Sequence, residues 1–256
     1  MNGADPPPPG FAPPDVVLRL EKVGLATWPA LEIARFDGWD LRAAAGVTKR
    51  SNSVSPLAAS TVPLEVKIAH CENWYRERRL PPCFRLTGHS TPDLEPALAA
   101  RGYVQEAPVT VMVRPVTPAD VPSPVRVDDL PGDEWFARLV ERRFDPGTPG
   151  AVVREMLERR TAPTVFASIP EGDDIVAMGI GALHDGHVAI YAMHTVPDRR
   201  RRGLGRLVLD GLMGWGGGAG ATTAFLQVHT ASTAAHAMYE DAGFTAAYRY
   251  WYRTGR

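Results

Sequence analysis

Cysteine and lysine are both scarce in this sequence. Of its 256 residues two are cysteines, Cys71 and Cys83, and three are lysines, Lys22, Lys49 and Lys67. Two cysteines exclude a disulfide framework and point to a reducing compartment, the cytoplasm. There is no CxxC pair, and the spacing of His70, Cys71, Cys83 and His89 fits no compact metal site, where a structural zinc needs about four ligands. No apolar run approaches the ~20 residues that cross a bilayer. The first residues lack both the charged region and the apolar core of a signal peptide. A formal net charge of -1 gives no overall basic field for nucleic acid or an anionic membrane. What remains is ordinary: 45% hydrophobic and 22% charged residues, enough for one large or two ordinary domains.

Proline marks the divisions. Residues 1–14 hold six prolines and little that packs, which reads as a disordered tail. Pro115, Pro118, Pro122 and Pro124 restrict the backbone to extended forms, so 115–124 reads as a linker between a first domain, 15–114, and a second, 125–256. The halves resemble one another. Pro56 and Pro197, Trp74 and Trp215, Phe84 and Phe225, and Gly102 and Gly243 are each 141 positions apart.

In the second half the hydrophobic periods predict strand, helix, helix, three strands, helix, strand, helix, strand. The helices fall at 133–144, 151–160, 204–215 and 233–241, and the glycines of 214–220 are expected to break the third. The strands fall at 125–130, 164–169, 175–183, 188–196, 225–229 and 245–253. The first half reads similarly but lacks the opening: strand or hairpin at 39–54, helix at 64–79, strand at 84–87, helix at 93–100, strand at 109–113. The class is mixed α/β.

The most specific segment is HTVPDRRRRGLGRLVL, residues 194–209. A strand ends at Val196, a loop with Arg199, Arg200, Arg201 and Arg202 follows, and a helix begins. The first turn of a helix has unpaired N–H donors and a partial positive charge, which suit phosphate oxygens. Gly203 and Gly205 let the backbone approach an anion closely, and the arginines add forked donors. Two other phosphate loops are excluded, because neither Lys-Ser/Thr nor a third glycine follows Gly205.

What is left, R-x-x-G-x-G from Arg200 to Gly205, resembles the hallmark of the GNAT superfamily of acyl-CoA-dependent N-acetyltransferases, Q/R-x-x-G-x-G/A after the fourth strand. The resemblance continues at LQV (226–228), at AHAMYEDAGF (235–244), which is similar to the family's A-x-x-L-Y-E-x-x-G-F helix, and at the closing YRYWYR (248–253). It covers most of 125–256 and implies a GNAT fold, a complete unit in the second half and a partial one in the first. It also implies acetyl-CoA as acyl donor. The amides of Arg200, Arg201, Arg202, Gly203, Leu204, Gly205 and Arg206 are then expected to hold its pyrophosphate. The backbone around Met193, Thr195 and Val196 would take the pantetheine in a gap between two splayed strands. Tyr239 matches the family tyrosine near the sulfur, and Ser232 stands where the family often has Asn.

The base is less legible. An alkylamine near pKa 10.4 must lose a proton before attack at pH 7, a cost of about 4.6 kcal/mol. Alternation along 187–196 puts Ala189, Tyr191 and Met193 on one face and Ile190, Ala192 and His194 on the other, with no carboxylate on either. His194, Tyr191 and His229 are the candidates. The aromatics of 248–252 suit either an acceptor wall or a core. In the first half neither loop glycine nor any loop arginine has a counterpart, and Leu98 stands in place of Tyr239, so this half is expected to wall the acceptor pocket without a cofactor of its own. Trp28, Trp39 and Trp74 call for burial, while Arg42, Arg50 and Asn52 lie on a strand-like stretch that suits either the cleft lining or the surface, with the surface expected. The reaction expected is transfer of acetyl to a primary amine by direct attack in a ternary complex. The alternative is a non-catalytic acyl-CoA-binding or regulatory module.

Overall fold

The computed structural model describes residues 12–58 and 61–255. Residues 1–11 of the expected tail lie outside it, and Pro14 already begins a helix. That helix, α1 (Pro14–Thr27), has no counterpart in the sequence reading. Proline at its first position is pre-set for helical φ. Val17, Leu20 and Val23 recur at helical spacing and are buried.

A hairpin follows, β1 (Glu32–Phe36) and β2 (Trp39–Ala43), then a 3-10 turn at Lys49–Ser51 and the short β3 (Val54–Pro56). Helix α2 (Leu64–Glu77), β4 (Cys83–Thr87), α3 (Leu94–Ala100), β5 (Val104–Gln105) and β6 (Val109–Pro115) complete the first half. The second half runs β7 (Arg126–Asp128), α4 (Asp133–Arg143), α5 (Gly150–Glu158), β8 (Thr164–Glu171), β9 (Asp174–His184) and β10 (His187–Thr195). It continues through α6 (Leu204–Gly218), β11 (Thr223–His229), α7 (Thr233–Asp241) and β12 (Thr245–Thr254).

The strands form one mixed sheet in the order β1-β2-β3-β4-β12-β6-β11-β10-β9-β8-β7, with β5 paired to β12. The sheet therefore runs across the division expected at 115–124. β6, from the first half, lies between β11 and β12. β12 in turn uses Thr245–Tyr250 against β6 and Tyr250–Thr254 against β4. The segments 109–115 and 250–254 occupy like positions in the two halves, and each pairs within the other half.

Helices cover both faces. On one, α1, α4 and α5 pack on Phe166, Met178, Ile180, Tyr191, Phe225 and Tyr248. On the other, α6 and α7 pack on Val165, Val188, Ile190 and Leu226, and α2 and α3 on Trp39, Phe84 and Trp251.

The glycine run does not end α6 where expected; the helix continues to Gly218. The reason is close approach. A Cβ on Gly217 would lie 2.7 Å from the Thr117 carbonyl oxygen, one on Gly214 2.8 Å from that of Ala119, and one on Gly211 2.9 Å from Val125. The three glycines share one helix face, and the segment expected to be a free linker lies along it. Gly216 performs the same service toward Val188 of the sheet, at 2.7 Å.

Candidate functional site

β10 and β11 are parallel, and their pairing runs from His187 and Thr223 to Ile190 and Leu226. Beyond that they diverge. Gln227, Val228 and His229 pair with β6 on the far side, and His194 and Thr195 pair with β9. The cause is a bulge between Tyr191 and His194, where Ala192 has φ +52°. A bulge inserts an unpaired residue and bends its strand. It also breaks the alternation expected along β10: Met193 turns to the α6 face with Ile190, while His194 returns to the Tyr191 face.

The divergence opens a cleft of about 570 Å³. Its walls come from β12 and four other places: Met193 and Gln227 on the splayed strands, Ser232 and Tyr239 at the start of and on α7, Arg143 and Asp145 at and after the end of α4, and Trp28, Arg50 and Glu106 from the first half. Tyr250 and Tyr252 line it from β12, whereas Tyr248 is buried against Glu21 and Trp251 packs on the opposite face.

The loop from β10 to α6 lies at one end of the splay. Gly203 has φ +76°, a conformation that glycine adopts without strain, and a Cβ there would meet open space. The amides of Gly203, Leu204, Gly205 and Arg206 have no acceptor among the described residues. Four unpaired donors at a helix start make a seat for an anion. Gly205 does something other than expected. A Cβ there would lie 3.3 Å from Thr195 Oγ1 and from Met238 Sδ, so its bareness seats the start of α6 between β10 and α7.

The arginines divide. Arg199 is bound by Glu171 and Asp198, Arg206 by Asp210, and Arg200 donates to the Thr195 carbonyl. Among the described residues Arg201 and Arg202 have no hydrogen-bond or ion-pair partner, and both are exposed. Val196 donates its amide to Val176, fixing the strand end.

The candidate catalytic groups are placed unequally. Tyr239 is buried on α7 with its ring edge-to-face with Phe244, and among the described residues its hydroxyl, on the cleft lining, has no partner. Burial pushes its pKa up to about 12, with Arg143 opposing. Tyr191 lines the cleft as well, but its hydroxyl sits 2.6 Å from Thr27 Oγ1, and Thr27 donates its own proton to the Val23 carbonyl. Tyr191 must therefore be the donor. Burial also raises its pKa, with the charge of Arg50 and the Thr27 contact opposing.

His194 does not line the cleft. It borders a separate depression with Glu141, Arg142 and Asp174. Burial, then the charges of Arg143, Arg142 and Arg200, lower its pKa to about 4. His229 does line the cleft, at the end of β11. Ser232 is at the start of α7, and its hydroxyl makes no capping bond.

Sequence reasoning missed most of the opposite wall. Arg50, expected at the surface, lies with its guanidinium 5.3 Å from the Trp28 ring centroid and 5.1 Å from that of Tyr191. Its Nε donates to Gln227 Oε1 at 3.0 Å, which also accepts from the Tyr250 hydroxyl at 2.9 Å. Arg42 is 1% exposed, not at the surface, and bonds the carbonyls of Leu25, Trp28 and Arg50. Asn52 is buried too, and folds the 44–48 loop by bonding Ala44, Gly46, Val47 and Thr48. No periodicity signals a residue brought to a site by a neighbouring half.

The family described as "Probable histone acetyltransferase Rv0428c C-terminal" matches residues 17–253. The chain belongs to this family. An uncharacterized N-acetyltransferase of Bacillus subtilis strain 168, YobR, is 27% identical over 249 residues, which are 94% of this chain and 100% of that protein. The probable histone acetyltransferase Rv0428c of Mycobacterium tuberculosis H37Rv is 30% identical over 235 residues, covering 89% of this chain and 70% of its own. A solved GCN5-related N-acetyltransferase from Kribbella flavida shares the fold, with a TM-score of 0.64 over 96% of each chain at 13% identity. The protein is an acyltransferase of the GNAT superfamily, and its mixed sheet carries the GNAT fold. Among the described residues no helix is long and apolar enough to cross a membrane.

Proposed function

We propose that this acyltransferase moves the acetyl group of acetyl-CoA directly to a primary amine held in the cleft between its two halves. One observation carries the reading: the pairing of β10 and β11 ends at Ile190 and Leu226, and β10 runs on from that gap into the loop before α6, whose amides at Gly203–Arg206 have no acceptor among the described residues. A diphosphate suits those amides, with the free Arg201 and Arg202 beside them supplying charge-assisted donors. The backbone of Met193–Thr195, released from β11, suits an amide-bearing arm. The first half carries no such loop, and its part is to wall the acceptor side.

Acetyl-CoA supplies an acyl group on a thiol whose ordinary pKa is about 8.5. Tyr239, with its pKa pushed to about 12, keeps its proton across the working range and donates it to the departing sulfur. His229 is the imidazole on the cleft lining, and it takes the acceptor's proton directly or through water. His194 faces away and Tyr191 is already committed as a donor, so neither is assigned this step. The protein works as a soluble cytoplasmic enzyme on this reading, consistent with its two unpaired cysteines.

The test is calorimetric titration with acetyl-CoA, followed by thiol release on an amine panel. Gly203→Asp places a side chain at φ +76° and a negative charge against the diphosphate, and is expected to weaken acetyl-CoA binding by about 100-fold, the order set by losing charge-assisted hydrogen bonds. Unchanged affinity rejects the placement of the loop. Tight binding without thiol release on any amine favours the non-catalytic module.

A further inference from the structure

The cleft wall opposite Tyr239 carries a charge pattern that speaks to the acceptor. Five of its lining residues are charged: Lys49, Arg50, Glu106, Arg143 and Asp145. Lys49 and Glu106 bind one another, and Glu106 also accepts from Thr254. Asp145 stands exposed at the rim. That leaves two cations facing the cleft without such a partner, the half-buried Arg50 and the exposed Arg143. Among the described residues neither has an acidic partner. Arg143 is close enough to act on both Tyr239 and His194, since its charge holds down the pKa of each.

Arg50 is built into place. Two aromatic faces hold its guanidinium, and Gln227 takes Nε and is itself held by Tyr250. Arg42, buried below, fixes the Arg50 backbone by donating to its carbonyl. Among the described residues the two terminal nitrogens of Arg50 have no acceptor. A guanidinium presented by that edge is a fork matched to a carboxylate. A half-buried cation with no counter-ion costs stability, and a ligand carboxylate offsets that cost.

We infer that the acceptor is a small amine bearing a carboxylate, with Arg50 and Arg143 gripping the carboxylate so that the amine faces the cleft floor between the splayed strands. This rests on the acetyl-transfer reading and sharpens it. The same two charges repel a lysine-rich peptide, whose side chains arrive as cations. Arg50 and Arg143 are binding residues on this assignment, and Arg42 and Gln227 are positioning residues for Arg50.

The experiment compares matched acceptors at saturating acetyl-CoA: L-amino acids, their carboxamides, the corresponding decarboxylated amines, and a lysine-rich peptide. The acids are expected to react at least ~10-fold more efficiently in kcat/KM than their amides or parent amines, the discrimination of one charge-assisted contact. Arg50→Gln and Arg143→Gln are each expected to raise KM for the acid by ~10-fold or more and leave KM for the amide nearly unchanged, with acetyl-CoA affinity within about twofold. Arg50→Lys, which keeps the charge and loses the fork, is expected to recover part of the loss. Amides or the peptide reacting as well as the acids overturns the inference, as does an equal effect of Arg50→Gln and Arg143→Gln on acid and amide. So does acetyl-CoA binding with no acid on the panel acetylated. Failure of acetyl-CoA to bind at all rejects the transfer reading instead, and titration separates the two.

Discussion

At the scale of single residues, Tyr239 shows how position sets chemistry. It packs against Phe244 as a core aromatic does, yet its hydroxyl reaches the cleft and has no partner among the described residues. Burial holds the pKa at about 12, so the hydroxyl is an acid that stays loaded. Tyr239→Phe is expected to lower kcat by ~100-fold, the usual range for a lost general acid, with acetyl-CoA affinity unchanged. Because the proton leaves only as pH rises through about 12, the wild-type rate is expected to show no alkaline fall between about pH 8 and about pH 10. A rate-against-pH profile at saturating substrates checks this; an alkaline fall in that range points to another acid. Tyr191 carries the same functional group 4% exposed and is tied to Thr27, so the two hydroxyls have different work. Nothing in residue type separates them. The Y-E-x-x-G-F spacing singled out Tyr239, and only the Thr27 contact from a helix 164 positions away disqualifies Tyr191 as a base.

At the scale of elements, α6 is the piece whose sequence misled. Glycine inside a helix costs about 1 kcal/mol against alanine, and several in a row predict an end. In the structure the penalty is offset by the 117–125 segment, whose backbone at Gly214 and Gly217 and whose Val125 side chain at Gly211 occupy the space that side chains would take. Two substitutions separate propensity from packing. Gly217→Ala gains the propensity term but drives a Cβ to 2.7 Å from the Thr117 carbonyl oxygen, so a net loss of about 1–2 kcal/mol is expected. Gly218→Ala meets nothing within 4 Å and is expected to stabilise by about 0.5 kcal/mol. Urea unfolding of the two variants reads both signs. The bulge at Ala192 is the other element-level event: it moves Met193 and His194 to faces opposite those that alternation assigns, and it starts the splay on which the cleft depends.

At the scale of the whole molecule, the halves share a sheet and a buried charge network. Glu21 of α1 accepts two bonds from Arg85 of β4, at 2.6 and 2.7 Å, and one from Tyr248 of β12, at 2.5 Å. Arg85 also stacks on Tyr250, 3.4 Å from its ring centroid. Glu21 and Arg85 are 3% and 4% exposed, so removing one partner strands the other's charge in the interior. Arg85→Met is expected to cost about 3–5 kcal/mol, and Glu21→Leu combined with Arg85→Met to recover much of it. With β6 and β12 each paired across the halves, calorimetry is expected to show a single unfolding transition in wild type and in both variants. Two separated transitions contradict the shared sheet.

The sequence by itself determined the local grammar: most helices and strands of the second half, the glycine-bearing loop before α6, and the R-x-x-G-x-G and Y-E-x-x-G-F motifs that resemble the GNAT superfamily. Those features depend on neighbours within a few positions, where periodicity and backbone sterics act. The strand order, the clasp on α6, the burial of Arg42 and the Arg50 fork over the cleft were decided only in tertiary structure. Each pairs residues dozens to hundreds of positions apart, and a chain written in one dimension does not say which distant charge, carbonyl or bare glycine will close the contact.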